Sequence, residues 1–500
     1  MNMEYLLGID IGTSGTKTAL FGQDGKAVSS VTIEYPLYQP NNGWAEQDPA
    51  DWWHAARDGI RRVVAESGAN VSDIRSVGLS GQMHGLVMLD KGGNVLRRAI
   101  IWCDQRTAAE CAKMNYIIGD KRIMEITANP AMTGFTAAKI LWVQTNEPDI
   151  YAKCTHILLP KDYIRYMLTG EFATEVSDAA GMQLMDIGKR NWSDEILSKL
   201  NIERGLLGSM HESVDITGEI HIKAAEETGL PVGTIVVGGA GDNAAAAIGT
   251  GVVRPGAAFT TLGTSGVVYA VSDEVTIDLA GKVHTLCASV PGKWTVMSCT
   301  QAAGLSLQWF RNQCCSEDDS YTSMTEMAAN IEIGAEGLIY LPYLMGERSP
   351  HPDPDCRGVF FGLSAKHTRA HMIRAVMEGV AFSQKECVDV FKDMGVSISD
   401  MAVCGGGGKS ELWRQMLADL YQCPVSTIQT DEGPALGAAI LAGVGAGVYT
   451  DLDEACGMIV KRGSEAFPIA DNTAAYERYY RLYKKLYLDL KDSYKELSEL

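Results

Sequence analysis

The tetrapeptide Gly-Thr-Ser-Gly occurs at residues 12–15 and again at residues 263–266, 251 positions later (263 − 12). Each copy lies between two apolar segments with the pattern of β-strands, so each predicts a hairpin with a glycine-rich turn. The same element repeated at half the chain length indicates two related domains. The 500 residues also exceed what one ordinary hydrophobic core supports. We therefore predict two α/β domains, residues 1–241 and 242–500.

A second feature marks the junction between these two domains. Residues 235–237 form a short apolar segment, followed by a glycine turn, by Asp242 and Asn243, and by a helix of small residues. A carboxylate presented at the end of a sheet strand is a common way to build a site. The alternative is that Asp242 caps the helix, since Asp is a preferred capping residue. A transmembrane segment is disfavoured because Asp and Asn lie at its centre.

The charge of the chain limits its partners. The formal net charge is −19, and no basic segment offers a surface for nucleic acid or an anionic membrane. An anionic substrate such as ATP then needs a local positive site built from backbone N–H groups and Mg²⁺.

The twelve cysteines are scattered without zinc-site or disulfide spacing, and the first residues do not resemble a signal peptide. These features predict a protein of the reducing cytoplasm and leave monomer and homodimer open.

Both Gly-Thr-Ser-Gly turns have the composition of phosphate-binding loops. In the first turn Gly12 lets a ligand approach the backbone closely, and the hydroxyls of Thr13 and Ser14 add donors. The second turn repeats this chemistry at Gly263 and Thr264. The first turn is not a Walker A loop, because no GxxxxGK[ST] pattern precedes a helix. An ordinary hairpin turn is the alternative interpretation of each copy.

A run of four glycines at residues 405–408 separates an apolar strand from a clear helix. A helix N-terminus offers free N–H groups, so a strand, glycines and a helix in this order are typical of a nucleotide-binding turn. The alternative is a flexible turn that holds no ligand.

Two further segments carry residues suited to a polyhydroxylated ligand. Met83 and His84 interrupt two strand-like runs, although a His in such a place more often makes a structural hydrogen bond. Trp102 and Asp104 follow a short apolar strand. An aromatic ring packs on the C–H face of a polyol while a carboxylate accepts its hydroxyl protons, so this pair indicates a sugar or polyol site.

Four segments together resemble the FGGY family of carbohydrate kinases. They are DIGTSGTK at 10–17, GDNAAAA at 241–247, TLGTSG at 261–266 and GGGGKSELW at 405–413. These segments follow the order of the family and extend over nearly the whole chain. The resemblance implies two actin/hexokinase-like (ribonuclease H-like) domains, with a nucleotide and sugar cleft between them. It also implies a kinase that uses ATP as co-substrate together with Mg²⁺.

The resemblance assigns roles to individual residues. Asp10 is similar to the carboxylate that organises Mg²⁺ in the family, and Asp242 to its general base, which also contacts the sugar. Lys139 and Trp142 are similar to a Lys-and-Trp signature of the family. The remaining matches are Thr13, Lys17, Gly263 and Thr264 for the phosphates, Gly406, Gly407 and Ser410 for adenosine, and Met83, His84 and Asn243 for the sugar.

The segment SGQMHG at 80–85 is similar to that of family members that phosphorylate D-xylulose, which implies D-xylulose 5-phosphate as product. Glycerol kinases have Arg-Glu in place of Met83-His84, so glycerol is disfavoured. Another ketose, a polyol or a sugar acid is the alternative substrate. An ATPase switch and a sugar-binding regulator without catalysis are the rival classes on this fold. Domain closure is expected, with hinges near Asp242 and around Glu378-Gly379.

Overall fold

Each half of the chain is built around one mixed sheet. The structure, a computed structural model, describes residues 3–316, 318–429 and 432–500. The strands of the N-terminal half are β1 (Tyr5–Ile11), β2 (Gly15–Gly22), β3 (Ala27–Glu34), β4 (Glu46–Gln47), β5 (Ile74–Gly81), β6 (Val87–Leu89), β7 (Ala99–Ile100), β8 (His156–Leu158), β9 (Ala173–Glu175), β10 (Met185–Asp186), β11 (Asn191–Trp192), β12 (Ser209–His211), β13 (Ile216–Glu219), β14 (Ile235–Val237) and β15 (Ala240–Gly241). The strands of the C-terminal half are β16 (Gly256–Leu262), β17 (Gly266–Ser272), β18 (His284–Cys287), β19 (Trp294–Thr300), β20 (Ile339–Leu341), β21 (Val359–Phe361), β22 (Ile398–Cys404), β23 (Val425–Ile428) and β24 (Arg462–Ala466).

Helices cover both faces of these sheets. In the N-terminal half they are α1 (Pro49–Ser67), α2 (Ala108–Ile118), α3 (Asp120–Thr127), α4 (Thr136–Asn146), α5 (Pro148–Tyr151), α6 (Pro160–Thr169), α7 (Val176–Ala179), α8 (Asp194–Leu200), α9 (Ile222–Thr228) and α10 (Asp242–Gly249). In the C-terminal half they are α11 (Gly304–Cys314), α12 (Tyr321–Ala329), α13 (Arg369–Asp393), α14 (Glu411–Tyr421), α15 (Pro434–Gly445), α16 (Leu452–Ile459) and α17 (Ala470–Ser498). Short 3₁₀ helices lie at Val71–Asp73, Ala180–Met182, Arg204–Leu206, Ala335–Gly337 and Gly406–Lys409.

The two central sheets have the same core topology. In the first, with the order β13–β14–β5–β1–β2–β3, strand β1 is antiparallel to β2 and parallel to β5. In the second, with the order β18–β19–β17–β16–β22–β23–β24, strand β16 is antiparallel to β17 and parallel to β22. Both Gly-Thr-Ser-Gly turns therefore connect the same pair of strands in their domains. This duplication confirms the predicted α/β fold with two ribonuclease H-like domains.

Local sequence signals explain where several helices begin and end. Helix α1 begins after Asp48, whose side chain accepts a hydrogen bond from the N–H of Ala50, and it ends at Gly68 in a left-handed conformation. Helix α14 begins after Ser410, whose hydroxyl accepts the N–H of Trp413 at 3.2 Å. Capping residues satisfy N–H groups that have no partner inside the helix.

Helix α15 belongs to the C-terminal half by sequence, but it packs against the sheet of the N-terminal half. A Cβ placed on Gly8 of β1 would lie 2.0 Å from the carbonyl oxygen of Ala435, and one on Gly78 of β5 would lie 1.8 Å from that of Ala438. Only glycine permits backbones to approach this closely. Helix α15 also contacts α10, where a Cβ on Gly437 would lie 1.8 Å from the carbonyl oxygen of Ala245. The two halves therefore meet along a pair of tightly packed helices.

The expected hinge at Glu378-Gly379 is wrong. Both residues lie inside the uninterrupted helix α13, and Glu378 forms a buried ion pair with Arg374 of the same helix at 2.6 Å. A Cβ on Gly379 would lie 2.2 Å from the carbonyl oxygen of Tyr340. A glycine buried against a strand of its own domain serves close packing, so it is not a flexible joint.

No helix in the described ranges combines the length and apolar character that a membrane span requires.

Candidate active site

The site begins where three parallel strands of the N-terminal sheet end. Asp10 of β1 pairs with Ser80 of β5, and Ala240 of β15 pairs with the same Ser80 from the other side. The hydroxyl of Ser80 donates a hydrogen bond of 2.9 Å to Asp10 Oδ1. Asp242 follows Ala240 by two residues and is the first residue of α10. The carboxylates of Asp10 and Asp242 therefore lie close together at one edge of the sheet.

The environment of Asp242 differs from that of a helix cap. Gly241 holds the capping position, and no side-chain cap is formed there. Asp242 Oδ1 accepts the backbone N–H of Asn243 at 2.7 Å and its side-chain amide at 2.9 Å. Burial, together with the negative charge of Asp10, raises the pKa of Asp242 to about 7. A carboxylate with a pKa near neutrality is suited to accept a proton from a substrate hydroxyl.

The first glycine turn (residues 12–15) is held in place by hydrogen bonds to its backbone. Gly12 N–H donates to the carbonyl of Gly15 at 3.0 Å, and the Tyr35 hydroxyl donates to the carbonyl of Gly12. The side-chain amide of Gln47 donates to the Thr13 carbonyl at 2.6 Å. These bonds fix the turn through its carbonyl oxygens. Because the turn is already ordered, binding phosphate to it requires no further loss of conformational entropy.

Lys17, a predicted phosphate ligand, is engaged in an ion pair across the molecule. Its Nζ lies 2.6 Å from a carboxylate oxygen of Glu432 and 3.3 Å from the Glu432 carbonyl oxygen. Glu432 immediately precedes the turn that leads into α15. The ion pair connects the strand after the first glycine turn to the chain segment after β23.

His84 follows Met83, whose side chain packs against Gly241. Its backbone adopts a left-handed conformation, with φ of 68°. The carbonyl oxygen of His84 accepts hydrogen bonds from Lys139 Nζ at 2.8 Å and from the Thr136 hydroxyl at 3.0 Å. The ring of Phe135 stacks on the imidazole at 4.3 Å between centroids. This packing holds an unusual backbone conformation in one orientation.

The protonation state of His84 follows from its contacts. Burial lowers the pKa of His84 to about 3, so the imidazole is neutral at pH 7. Its Nδ1 lies 2.9 Å from the carbonyl oxygen of Gly181. A carbonyl oxygen only accepts, so Nδ1 carries the proton and Nε2 is left as an acceptor. His84 can thus accept a hydrogen bond from a sugar hydroxyl.

Met83 and Trp102 complete the part of the wall that sequence reasoning predicted. The Met83 side chain is buried against Gly241, where an added Cβ would lie 2.8 Å from Met83 Cγ. Trp102 is 42% exposed, and its indole N–H donates to the Thr13 hydroxyl at 2.9 Å. Trp102 therefore joins the predicted sugar wall to the first glycine turn.

Both oxygens of the Asp104 carboxylate already accept hydrogen bonds from other groups of the protein. Asp104 is completely buried, and its oxygens accept hydrogen bonds from the Arg106 side chain at 2.7–3.0 Å and from the Ala45 N–H at 2.6 Å. The Arg106 guanidinium stacks on the rings of Trp44 and Trp142. Asp104 therefore orders the segment that carries Trp102, and its direct contact with a sugar stays a prediction.

A cavity of about 320 Å³ lies between the second glycine turn (residues 263–266) and the glycine run (residues 405–408). The predicted residues that line it are Gly263, Thr264, Gly406, Gly407 and Ser410. Sequence reasoning missed the other wall, which comprises Leu262, Gly304, Leu307, Gln308, Tyr321, Thr325 and Trp413. Most of the missed residues lie on helices α11, α12 and α14, whose amphipathic pattern is that of ordinary surface helices, so no local signal distinguishes them.

Sequence reasoning also missed a link from His84 into the C-terminal half. Phe135, which stacks on His84, lies 5.8 Å from the ring of His284. Nε2 of His284 accepts a hydrogen bond from the Arg348 guanidinium at 3.0 Å. His284 Nδ1 donates to the Asn129 side chain at 2.8 Å. These residues meet through tertiary contacts, since His284 lies 155 positions from Asn129 and 64 positions from Arg348 in the sequence.

The residues around Asp10 fit a divalent cation that is bound mainly through other ligands. Burial raises the pKa of Asp10, although the hydrogen bond from Ser80 and the positive charge of Lys17 oppose this shift. Among residues 3–316, 318–429 and 432–500, no group of three or more His, Cys, Asp or Glu side chains is placed to hold a metal. Mg²⁺ would therefore contact Asp10 together with water and the phosphate oxygens of ATP.

Comparisons with known proteins agree with this architecture. The models of the FGGY family of carbohydrate kinases match residues 5–249 (N-terminal domain) and 258–446 (C-terminal domain). The chain is 39% identical to a xylulose kinase of Bacillus subtilis over 98% of both chains. A solved xylulose kinase from Rhodospirillum rubrum has a TM-score of 0.93 at 29% identity and covers 98% of this chain and 100% of its own. A gluconate kinase from Lactobacillus acidophilus also has a TM-score of 0.93, at 26% identity, covering 99% and 100%. The chain belongs to the FGGY family of carbohydrate kinases.

Proposed function

We propose that this kinase transfers the terminal phosphoryl group of ATP to the 5-hydroxyl of D-xylulose, giving D-xylulose 5-phosphate and ADP. The observation that carries the proposal is the direct packing of Met83 against Gly241, next to Asp242. This contact places residues 80–85, which we assign to sugar recognition, against residues 241–247, which include the proposed base Asp242. The identity with curated xylulose kinases over nearly the full length supports the same substrate.

Asp242 acts as the general base in this proposal. Its carboxylate accepts the proton of the sugar hydroxyl while the hydroxyl oxygen forms a bond to phosphorus and the bond to ADP breaks. The pKa of about 7 keeps a fraction of the free enzyme in the charged form at neutral pH. Asn243 holds Oδ1 through two hydrogen bonds, which leaves Oδ2 to face the hydroxyl.

The glycine turns orient ATP. We assign the cavity of about 320 Å³ to adenosine, since it offers apolar surface from Leu262, Leu307 and Trp413 beside polar groups. The backbone N–H groups and hydroxyls of the two Gly-Thr-Ser-Gly turns donate to the phosphates. Mg²⁺, when bound near Asp10, supplies positive charge to the phosphate oxygens.

His84 and Trp102 orient the sugar. The neutral imidazole accepts a hydrogen bond from a sugar hydroxyl at Nε2, and the exposed Trp102 ring covers a C–H face. Asp104 contributes by holding the Trp102 segment, with Arg106 neutralising its charge.

We also propose that the enzyme works in the cytoplasm, on the basis of its scattered cysteines. Size-exclusion chromatography distinguishes the monomer from the homodimer.

An assay of ADP formation with a panel of acceptors tests the substrate. D-Xylulose, D-ribulose, xylitol, glycerol and D-gluconate are compared at equal Mg²⁺ and ATP, and phosphorus NMR identifies the phosphorylated hydroxyl. We expect the highest kcat/KM for D-xylulose and phosphorylation at O5. A higher kcat/KM for gluconate or glycerol would replace D-xylulose with that substrate, whereas the absence of ADP formation with every acceptor would favour a regulator.

A further inference from the structure

Asp242 and His84 are both held by one short segment of the N-terminal half. This segment consists of α7 (Val176–Ala179) followed directly by the 3₁₀ helix Ala180–Met182. The Ser177 hydroxyl at its start accepts the backbone N–H of Gly241, the residue before Asp242, at 3.2 Å. The carbonyl of Gly181 near its end accepts the Nδ1–H of His84 at 2.9 Å. The segment thus bridges the proposed base and the sugar-contacting imidazole.

The start of this segment is fixed by a buried carboxylate. Glu175 caps α7, accepting the N–H of Ser177 at 2.8 Å and of Asp178 at 2.9 Å. The Ser177 hydroxyl donates to Glu175 Oε1 at 2.9 Å, so its lone pair points to Gly241. Lys161 Nζ lies 3.3 Å from the same Oε1. All four groups are buried, so the Ser177 oxygen has one available orientation.

The strand that Ser177 contacts is short. Strand β15 contains only Ala240 and Gly241, and both pair with β5. The N–H of Gly241 lies in the peptide plane between Ala240 and Gly241, one peptide before the plane that leads into Asp242. A buried N–H without an acceptor destabilises the fold. If the Ser177 hydroxyl were lost, the Gly241 peptide would therefore rotate until its N–H reached another acceptor. A shift there would move the carboxylate of Asp242.

We propose that Ser177 is a positioning residue for phosphoryl transfer: through the Gly241 N–H it sets the distance from the Asp242 carboxylate to the sugar held by His84. The inference rests on the proposed role of Asp242 as base. Ser177 itself touches neither the sugar nor ATP in this arrangement. Its loss therefore acts on the geometry of the reacting groups and leaves the binding groups in place.

Ser213 provides a matched control. Its hydroxyl donates to Glu175 Oε2 at 2.8 Å, and Ser213 is as completely buried as Ser177. It differs in that its hydroxyl is not bonded to the Gly241 N–H. S213A and S177A each remove one buried hydroxyl that donates to Glu175, so a purely structural role predicts the same consequences for both variants.

Steady-state kinetics of S177A, S213A and S177T with D-xylulose test the inference. We expect S177A to lose kcat by about 10- to 100-fold, as for a displaced catalytic group, with little change in KM for the sugar. S213A should keep the wild-type kcat although its Tm falls like that of S177A. S177T, which retains the hydroxyl, should recover most of the lost kcat. Matching kcat values for S177A and S213A would overturn the inference.

Two further measurements keep the test decisive. If S177A does not fold, S177C, which retains the size but accepts hydrogen bonds weakly, takes its place, and the same loss of kcat is expected. D242N is measured in parallel. If D242N keeps the wild-type kcat, the base assignment fails. If D242N loses kcat while S177A does not, the base assignment stands and only the positioning role of Ser177 is wrong.

Discussion

Asp10 and Ala240 pair with Ser80 from opposite sides, which places the carboxylates of Asp10 and Asp242 beside each other at the end of the N-terminal sheet. The negative charge of Asp10 makes it harder for Asp242 to ionise and contributes, after burial, to the raised pKa of Asp242. Parallel pairing explains the arrangement, because parallel strands present their carboxyl ends at one edge. Two carboxylates are thereby brought together from positions 232 residues apart (242 − 10).

The first prediction concerns catalysis by Asp242. Asn preserves the size of the side chain and can accept the Asn243 N–H, but it cannot accept a proton. We expect D242N to lose kcat by about 10²- to 10⁴-fold while its affinity for D-xylulose changes little. Steady-state kinetics and calorimetry measure the two quantities. If Asp242 were only a structural residue of the helix start, D242N would retain nearly full activity.

The second prediction links Asp242 to stability. The folded-state pKa of about 7 lies above the ordinary value of 3.8, so between these values the folded protein binds more protons than the unfolded chain. Stability is therefore lost as pH rises through this range. D242N lacks this titration. Without Mg²⁺ and ATP, we expect the Tm of D242N minus that of the wild type to increase from pH 4 to pH 7 and then to level off. A difference independent of pH would contradict the raised pKa.

The third prediction separates Asp10 from Asp242. D10A should lose most turnover yet bind D-xylulose with nearly wild-type affinity, because Asp10 serves the phosphate side of the cleft. Titration calorimetry with the sugar and kinetics over a range of Mg²⁺ concentrations measure the two effects. Loss of sugar affinity combined with a normal Mg²⁺ dependence would show that Asp10 belongs to the sugar site.

The fourth prediction concerns the ion pair between Lys17 and Glu432. If Lys17 binds an ATP phosphate, Glu432 competes for the same ammonium group. This pair is partly exposed, and such pairs contribute up to about 1 kcal/mol, so we expect E432Q to lower the KM for ATP by up to about fivefold. E195Q, which removes one of the two carboxylates paired with the exposed Arg122, is the control and should leave this KM unchanged. An increased KM in E432Q would mean that Glu432 itself supports ATP binding.

The fifth prediction concerns the contact between α15 and β5. G78A places a methyl group against the carbonyl oxygen of Ala438, and we expect a loss of about 1–3 kcal/mol in the free energy of unfolding. Gly457 is exposed in α16, with no atom within 4 Å of an added Cβ. G457A should stabilise the helix by about 0.5–1 kcal/mol. Equal effects of both substitutions in denaturant unfolding would show that the close packing at Gly78 is unimportant.

Sequence reasoning predicted the parts of the site that lie in short continuous motifs. The sequence predicts the hairpin around Gly12, the strand and helix around Asp242, and Gly406, Gly407 and Ser410 near the cavity, because glycine turns and hydrophobic alternation are local signals. The contact of α15 with the other half was not predicted, since the glycines that permit it, Gly8 and Gly78, are ordinary strand residues by sequence. The support of His84 by Phe135 likewise depends on tertiary packing.

The position of α15 on the N-terminal sheet has a consequence for biosynthesis. A ribosome completes α10 at residue 249 and starts α15 at residue 434, which are 185 residues apart (434 − 249). At about 5–20 residues per second, this interval lasts on the order of 10–40 s. Throughout that time the face of β1 and β5 that includes Gly8 and Gly78 has no covering helix. The nascent N-terminal half therefore exposes this face of its sheet until residues 434–445 have been translated.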